Sequence, residues 1–117
     1  MQRRLAAILA ADVVGYSRLM ALDESNVLDR LKALRRGVVQ PLIEQFQGRI
    51  FKLMGDGLLA DFPSVVEAIS CGVALQERMS AHEPELREEE RIRLRIGINL
   101  GDVLVDGTDL YGDGVRS

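Results

Sequence analysis

A chain of 117 residues, 47% of them apolar, is long enough for one compact domain with a buried core, and nothing in it suggests a second. Its formal charge of -3 argues against general affinity for nucleic acid, which needs a concentrated excess of Lys and Arg to displace counterions, but says nothing against a nucleotide site. Cys71 is the only cysteine, so no disulfide forms within the chain and a reducing cytoplasm fits best, while no segment approaches the ~20 apolar residues that span a bilayer.

In chain order, arginines at positions 3 and 4 precede an apolar stretch, as in a secretory signal, but that stretch is short and runs directly into Asp12. Leu5 to Val14 is almost continuously apolar and reads as a central strand covered on both faces, although its alanines would also suit a helix. From Ser25 to Phe46 the apolar positions Leu28, Leu31, Leu34, Val38, Leu42 and Phe46 recur every three or four residues, with Arg30, Lys32, Arg35 and Arg36 mostly turned outward. That spacing predicts an amphipathic helix. Pro41 would crowd the Gly37 carbonyl, so a kink or restarted turn is expected there, and Gly48 is expected to end the helix.

Residues 49–54 and 58–62 flank Gly55-Asp56-Gly57, which predicts two strands joined by a tight turn with Asp56 at its tip. Pro63 closes the second of them. Ser64-Val65-Val66-Glu67 is a capping box that starts a helix running to about Ala81, with Ala68, Ile69, Gly72, Leu75 and Met79 inward and Gly72 small enough for close packing on a sheet. His82 is expected to be exposed at the helix exit, and Glu88 to Glu90 to form a solvated loop. Ile92, Leu94, Ile96 and Ile98 alternate with Arg91, Arg93, Arg95, Gly97 and Asn99, a strand with one buried face. The three arginines suit phosphate, but charges on an open sheet face are more commonly just solvated. Gly101-Asp102 offers a turn into Val103 to Val105, and residues 106–113 read as loop.

The order strand, helix, strand, strand, helix, strand, strand fits an α+β fold of the split βαβ, ferredoxin-like type: an antiparallel sheet with both helices on one face. In that topology the end of the first strand lies beside the hairpin tip, which brings Asp12 and Asp56 together. Each carboxylate stands next to glycine where an apolar run stops, and magnesium takes one or two protein carboxylates and leaves its other positions to water and phosphate oxygens. Free amides from Val13 through Val14, Gly15, Tyr16 and Ser17, leading into a helix, would face the phosphates. The plainer alternatives are that Gly-Asp-Gly is a common hairpin turn and that Asp12 is only a helix cap.

Three stretches carry a resemblance to a known family: Ala6 to Ser17, Gly48 to Leu59, and Arg95 to Val103 followed by Asp109 to Val115. Together they resemble the catalytic domain of class III adenylate and guanylate cyclases, particularly bacterial adenylate cyclases, over nearly the whole chain. The resemblance implies that the ribose 3'-hydroxyl of ATP attacks the α-phosphorus, expelling pyrophosphate and closing cyclic AMP. It implies metal binding of two ions, Mg2+ or Mn2+, by Asp12, Asp56 and the carbonyl of Val13, with Asp12 and Asp56 catalytic. It also implies base binding by Lys52 and Asp109, a donor and an acceptor that match adenine's ring acceptor and exocyclic amine. Active sites in the family form between two such domains arranged head to tail, so a homodimer is implied.

One departure bears on activity. After Gly112-Asp113-Gly114-Val115 the family has an asparagine and, four residues later, an arginine; this sequence has Arg116 and then Ser117. The expectation is an N-terminal major part of a cyclase domain, active when complete and nearly silent as this fragment. The competing readings are a catalytically inactive dimerisation or regulatory module derived from a cyclase, and an unrelated ferredoxin-like phosphotransfer domain using the same two carboxylates.

Overall fold

The computed structural model describes the backbone of residues 2–106 and 109–112 and the side chains of residues 4–101. Five antiparallel strands form one sheet: β1 (Gln2–Val13), β2 (Arg49–Met54), β3 (Gly57–Phe62), β4 (Leu94–Asp106) and β5 (Asp109–Gly112), in the order β2-β3-β1-β4-β5. The first four strands have the order of a ferredoxin-like split βαβ fold, as expected, with β5 added at the β4 edge.

The even-spaced pleat of β1 explains its apolar run. Ala7, Leu9, Ala11 and Val13 face the helices and join the main core with Leu58, Ala60 and Phe62 of β3. On the opposite, helix-free face Ala6, Ile8 and Leu59 are buried under Phe51 and Met54, so the middle strand is covered on both sides even though only one side carries helices.

The helix predicted over residues 25–46 is instead three successive segments, and a further short helix precedes it. Helix α1 (Tyr16–Leu22) escapes the periodicity because it is one short amphipathic piece, anchored by buried Leu19. Asp23 ends it and caps α2 (Glu24–Leu34) by accepting from the Asn26 amide at 3.3 Å. A π-helical turn (Arg35–Val39) follows, then α3 (Gln40–Gln45). In the wide turn the Gln40 amide bonds to the Arg35 carbonyl, one residue further back than in an α-helix, and Pro41 falls in the first turn of α3, where its missing N–H costs least. The break expected at the proline is thus made just ahead of it.

Gly48 is not the residue that terminates α3 by its backbone. Gln47 takes the left-handed conformation, φ 67°, with its amide on the Glu44 carbonyl and the Gly48 amide on the Ile43 carbonyl, a Schellman closure. Gly48 is required for another reason, since a Cβ there would lie 2.4 Å from the Phe62 ring.

Helix α4 (Val65–Ala81) starts where expected, with the Ser64 hydroxyl accepting from the Glu67 amide at 3.1 Å. Its buried face holds Ala68, Cys71, Gly72, Leu75 and Met79, whereas Ile69 is 49% exposed and belongs to the rim rather than the inner face. A Cβ on Gly72 would meet Ile96 and Ile98 at 3.6 Å, an ordinary contact, so the packing does not demand glycine. The Cys71 thiol is fully buried, and desolvation pushes it up to about 11.

The loop from 82 to 93 is held by ion pairs rather than left to solvent. Arg30 of α2 donates to both Glu83 carboxylate oxygens, at 2.9 and 2.7 Å, and to the Glu90 carbonyl at 2.9 Å. Glu88 to Glu90 form a short 3-10 turn in which Glu88 pairs with Arg93 and Glu90 with Arg87. His82 is half-buried at the C-cap of α4 instead of freely exposed.

Two sequence expectations fail in β4. Gly101-Asp102 makes no turn: the strand runs through it, because the long β1 offers pairing partners as far as Leu5 for Asp102 and Gln2 for Val105. The supposed loop after it contains β5, whose Asp109 pairs with Asp106.

Candidate active site

The hairpin between β2 and β3 closes on a two-residue turn, Gly55-Asp56, with Met54 paired to Gly57. Gly55 has φ 39°, which favours glycine at the first central position of a mirror-image turn, and puts Asp56 at the tip. The tip is pressed onto the end of β1. A Cβ on Gly57 would lie 2.7 Å from the Ala11 carbonyl oxygen and 3.3 Å from the Asp12 Cβ. Glycine at 57 therefore permits the close approach of the hairpin to the end of β1, and Asp12 and Asp56 line one open cleft of about 450 Å³ with Met54, Arg95 and Gly97.

Asp12 sits on the helix-free face, opposite Arg95 of β4 in the strand register. Arg95 grips it with both arms, Nε to Oδ1 at 3.0 Å and Nη2 to Oδ2 at 2.8 Å. The hydrogen bonds and charge of Asp12, with a smaller contribution from Asp56, raise the guanidinium above its ordinary range. Among the described residues Asp56 has no ion-pair partner. The cleft thus gathers two like charges and already places one cation against them.

The backbone adds a further oxygen. Val14 donates its amide to the Arg93 carbonyl at 2.9 Å, which makes Val14 and Arg93 a hydrogen-bonded pair. By the alternation of an antiparallel ladder Val13 and Leu94 are then a non-bonded pair, and the Val13 carbonyl turns away from β4 toward the hairpin side. The two carboxylates that line the cleft are hard oxygen donors of the kind that suit Mg2+ or Mn2+; Val13 is not among the lining residues. No histidine or cysteine lines the cleft.

The bond to Arg93 also corrects the expected run of free amides, because that of Val14 is consumed within the sheet. Gly15, with φ 65°, turns the chain into α1, so its own amide and those of Tyr16 and Ser17 stand in the first turn, where no intrahelical acceptor exists.

Lys52 is exposed on the helix-free face, beside Leu59, just past a bulge at Phe51 that shifts the register of β2. Asp109 is not brought near it. It lies in β5, at the other edge of the sheet, paired with Asp106, about 30 Å along the strand direction from the level of Lys52 and Gly97. Its side chain falls outside the described residues, as do Asp113 to Ser117, where the departure at Arg116 lies.

Sequence reasoning passed over two participants. From sequence Arg95 reads as a solvated or phosphate-facing strand arginine, and Gly57 as a glycine that lets the backbone approach a phosphate, neither as a contact to Asp12 or Ala11. Both owe their place to contacts between segments remote in the chain. Arg91 and Arg93 likewise have partners, the Leu86 and Pro84 carbonyls for the first and Glu88 for the second, so the three arginines form no open phosphate-binding row.

No family model matches the chain. It is 52% identical over 115 residues to a protein of Rhizobium meliloti (strain 1021) named "Putative adenylate cyclase 3", covering 98% of this chain and 20% of that protein. Against the adenylate cyclase of Streptomyces coelicolor it is 32% identical over 114 residues, with 97% of this chain and 28% of that protein covered. The crystal structure of an adenylate/guanylate cyclase/hydrolase from Silicibacter pomeroyi matches with a TM-score of 0.88 at 46% identity, covering 97% of this chain and 66% of that one. This chain accordingly spans less than a third of these curated relatives and about two thirds of that solved chain. With its strand order, its hairpin carboxylate and these likenesses, the chain belongs to the class III adenylate/guanylate cyclase domains and represents part of one.

Proposed function

We propose that the domain to which this chain contributes is an adenylate cyclase, converting ATP to cyclic AMP and pyrophosphate. The observation that carries the reading is the convergence of Asp12 and Asp56 on one cleft across the Gly57 contact. Asp12, Asp56 and the Val13 carbonyl would hold two Mg2+ or Mn2+ ions. Such ions, when bound, lower the pKa of the ribose 3'-hydroxyl and neutralise the triphosphate.

The chain's own residues supply positioning. The two aspartates fix where the charge of the triphosphate comes to rest, and the amides of Gly15, Tyr16 and Ser17 point donors at phosphate oxygens. The 3'-oxygen then forms its bond to the α-phosphorus as the bond from that phosphorus to the bridging oxygen of pyrophosphate breaks. Lys52, a donor on the helix-free face, serves adenine's ring acceptor and disfavours guanine, which offers a donor at the corresponding position. Asp109 is far from Lys52 along the sheet, so no acceptor for the adenine amine is assigned to it here. Head-to-tail pairing of two copies, with Lys52 of one facing the aspartates of the other, follows from the family resemblance and completes the reading.

Arg116 favours a second reading, a dimerising module without turnover, because it stands where the family has asparagine. A cyclase assay with Mn2+ and Mg2+ separates the two. The chain extended with the corresponding C-terminal third of the Silicibacter pomeroyi relative, and carrying Arg116→Asn, is expected to make cyclic AMP that Asp56→Ala abolishes. Dimerisation with no product under either metal would establish the module instead.

A further inference from the structure

We propose that Arg95 is a built-in competitor for the metal at Asp12, a tethered cation that occupies the carboxylate until a divalent ion displaces it. The inference rests on the reading of Asp12 as a metal ligand. Both carboxylate oxygens of Asp12 are engaged by the fork of Arg95, at 3.0 and 2.8 Å, so the oxygens an incoming ion needs are the ones the guanidinium covers. Bidentate, charge-assisted pairs of this kind are stronger and more directional than single contacts.

The pair is positioned rather than accidental. Asp12 and Arg95 are directly opposite in a ladder that runs unbroken from Gln2 to Val13, which holds the two side chains on one face. Arg95 has no other hydrogen-bond partner among the described residues, whereas its neighbours at alternate positions are committed elsewhere, Arg93 to Glu88 and Arg91 to two loop carbonyls. The Arg95 side chain is also 74% exposed, so it can swing into solvent without opening the core. Metal entry then exchanges one cation for another at Asp12, and the cleft never holds two unscreened carboxylates.

The consequence is specific: removing Arg95 strengthens metal binding to the nucleotide-free protein. Mn2+ titration of this chain, followed by electron paramagnetic resonance of the free ion, measures it. Arg95→Ala and Arg95→Gln are expected to bind Mn2+ about three- to tenfold more tightly than the unaltered chain, a modest range because the pair is exposed. Arg93→Ala removes the same charge from the same strand region but not from Asp12, and is expected to leave the affinity unchanged. Saturating Mg2+ should also shift the Arg95 Nε–H resonance in the unaltered protein. Unchanged or weaker binding in both Arg95 variants, or equal tightening by Arg93→Ala, overturns the proposal. Asp12→Asn separates this failure from failure of the underlying reading: if it leaves Mn2+ affinity intact, Asp12 is no ligand and both fall.

Discussion

Gly57 lies so close to Ala11 that a methyl group on it would be 2.7 Å from the Ala11 carbonyl oxygen. The obstructing atom is backbone in the middle strand of the sheet and cannot swing aside. Gly57→Ala must therefore lift the hairpin tip from the end of β1, at about 1–3 kcal/mol of stability, and carry Asp56 away from Asp12. Mn2+ affinity is expected to fall at least tenfold by rough estimate. Chemical denaturation together with metal titration checks both effects; normal affinity in a folded variant would show that the approach is not needed.

Gly72 behaves in the opposite sense. Its place in α4 leaves room for a Cβ at 3.6 Å from Ile96 and Ile98, so alanine would fill space without strain. Gly72→Ala is expected to stabilise the fold by about 0.5–1 kcal/mol, through helix propensity and a less disordered unfolded chain. A lowered melting temperature would mean that α4 sits closer to the sheet than described.

Arg30 ties α2 to the loop after α4 through a half-buried fork on Glu83 and a bond to the Glu90 carbonyl. Arg30→Ala leaves a carboxylate and a carbonyl without their partner, and should cost about 2 kcal/mol. Arg87→Ala, on a largely exposed pair in the same loop, should change the denaturation midpoint little.

The Cys71 thiol titrates at about 11 in the fold against 9.0 for an ordinary thiol. Because the folded value is the higher one, its stabilising contribution is complete below pH 9.0 and declines as pH rises toward about 11, where the unfolded chain has lost its proton and the folded one has not. Stability measured across that window should fall more steeply in the unaltered protein than in Cys71→Ala. Thiol reagents at neutral pH should react only at the rate of global opening.

Much of the architecture is legible in local pattern. The alternation from Ile92 to Ile98, the Gly-Asp-Gly hairpin and the Ser64 cap each specify an element by themselves, and their order implies the split βαβ fold. What escaped reading depends on partners distant in the chain. Gly101-Asp102 looks like a turn until β1 is laid beside it, and Gly48 looks like a helix stop until the Phe62 ring is found against it. The π turn is a response to Pro41, whose position was evident although the form of the break was not. At the site, the carboxylates were visible as strand-end and hairpin residues. The Arg95 pair, 83 positions from Asp12, was not, since only the register selects which of three arginines meets the carboxylate.

Base choice is open to direct test at Lys52. Lys52→Glu in the extended, active form should reduce the preference for ATP over GTP by at least tenfold, as the donor toward the adenine ring acceptor is replaced by an acceptor. Initial rates with each nucleotide give the ratio. An unaltered ratio would move base reading away from β2.

The most direct measurement is the anomalous scattering of Mn2+ in crystals of this chain grown with a non-hydrolysable ATP analogue. The account predicts manganese in contact with carboxylate oxygens of both Asp12 and Asp56, with Arg95 withdrawn from Asp12. Manganese bound to one aspartate while the other remains turned away, or held elsewhere on the chain, would contradict it.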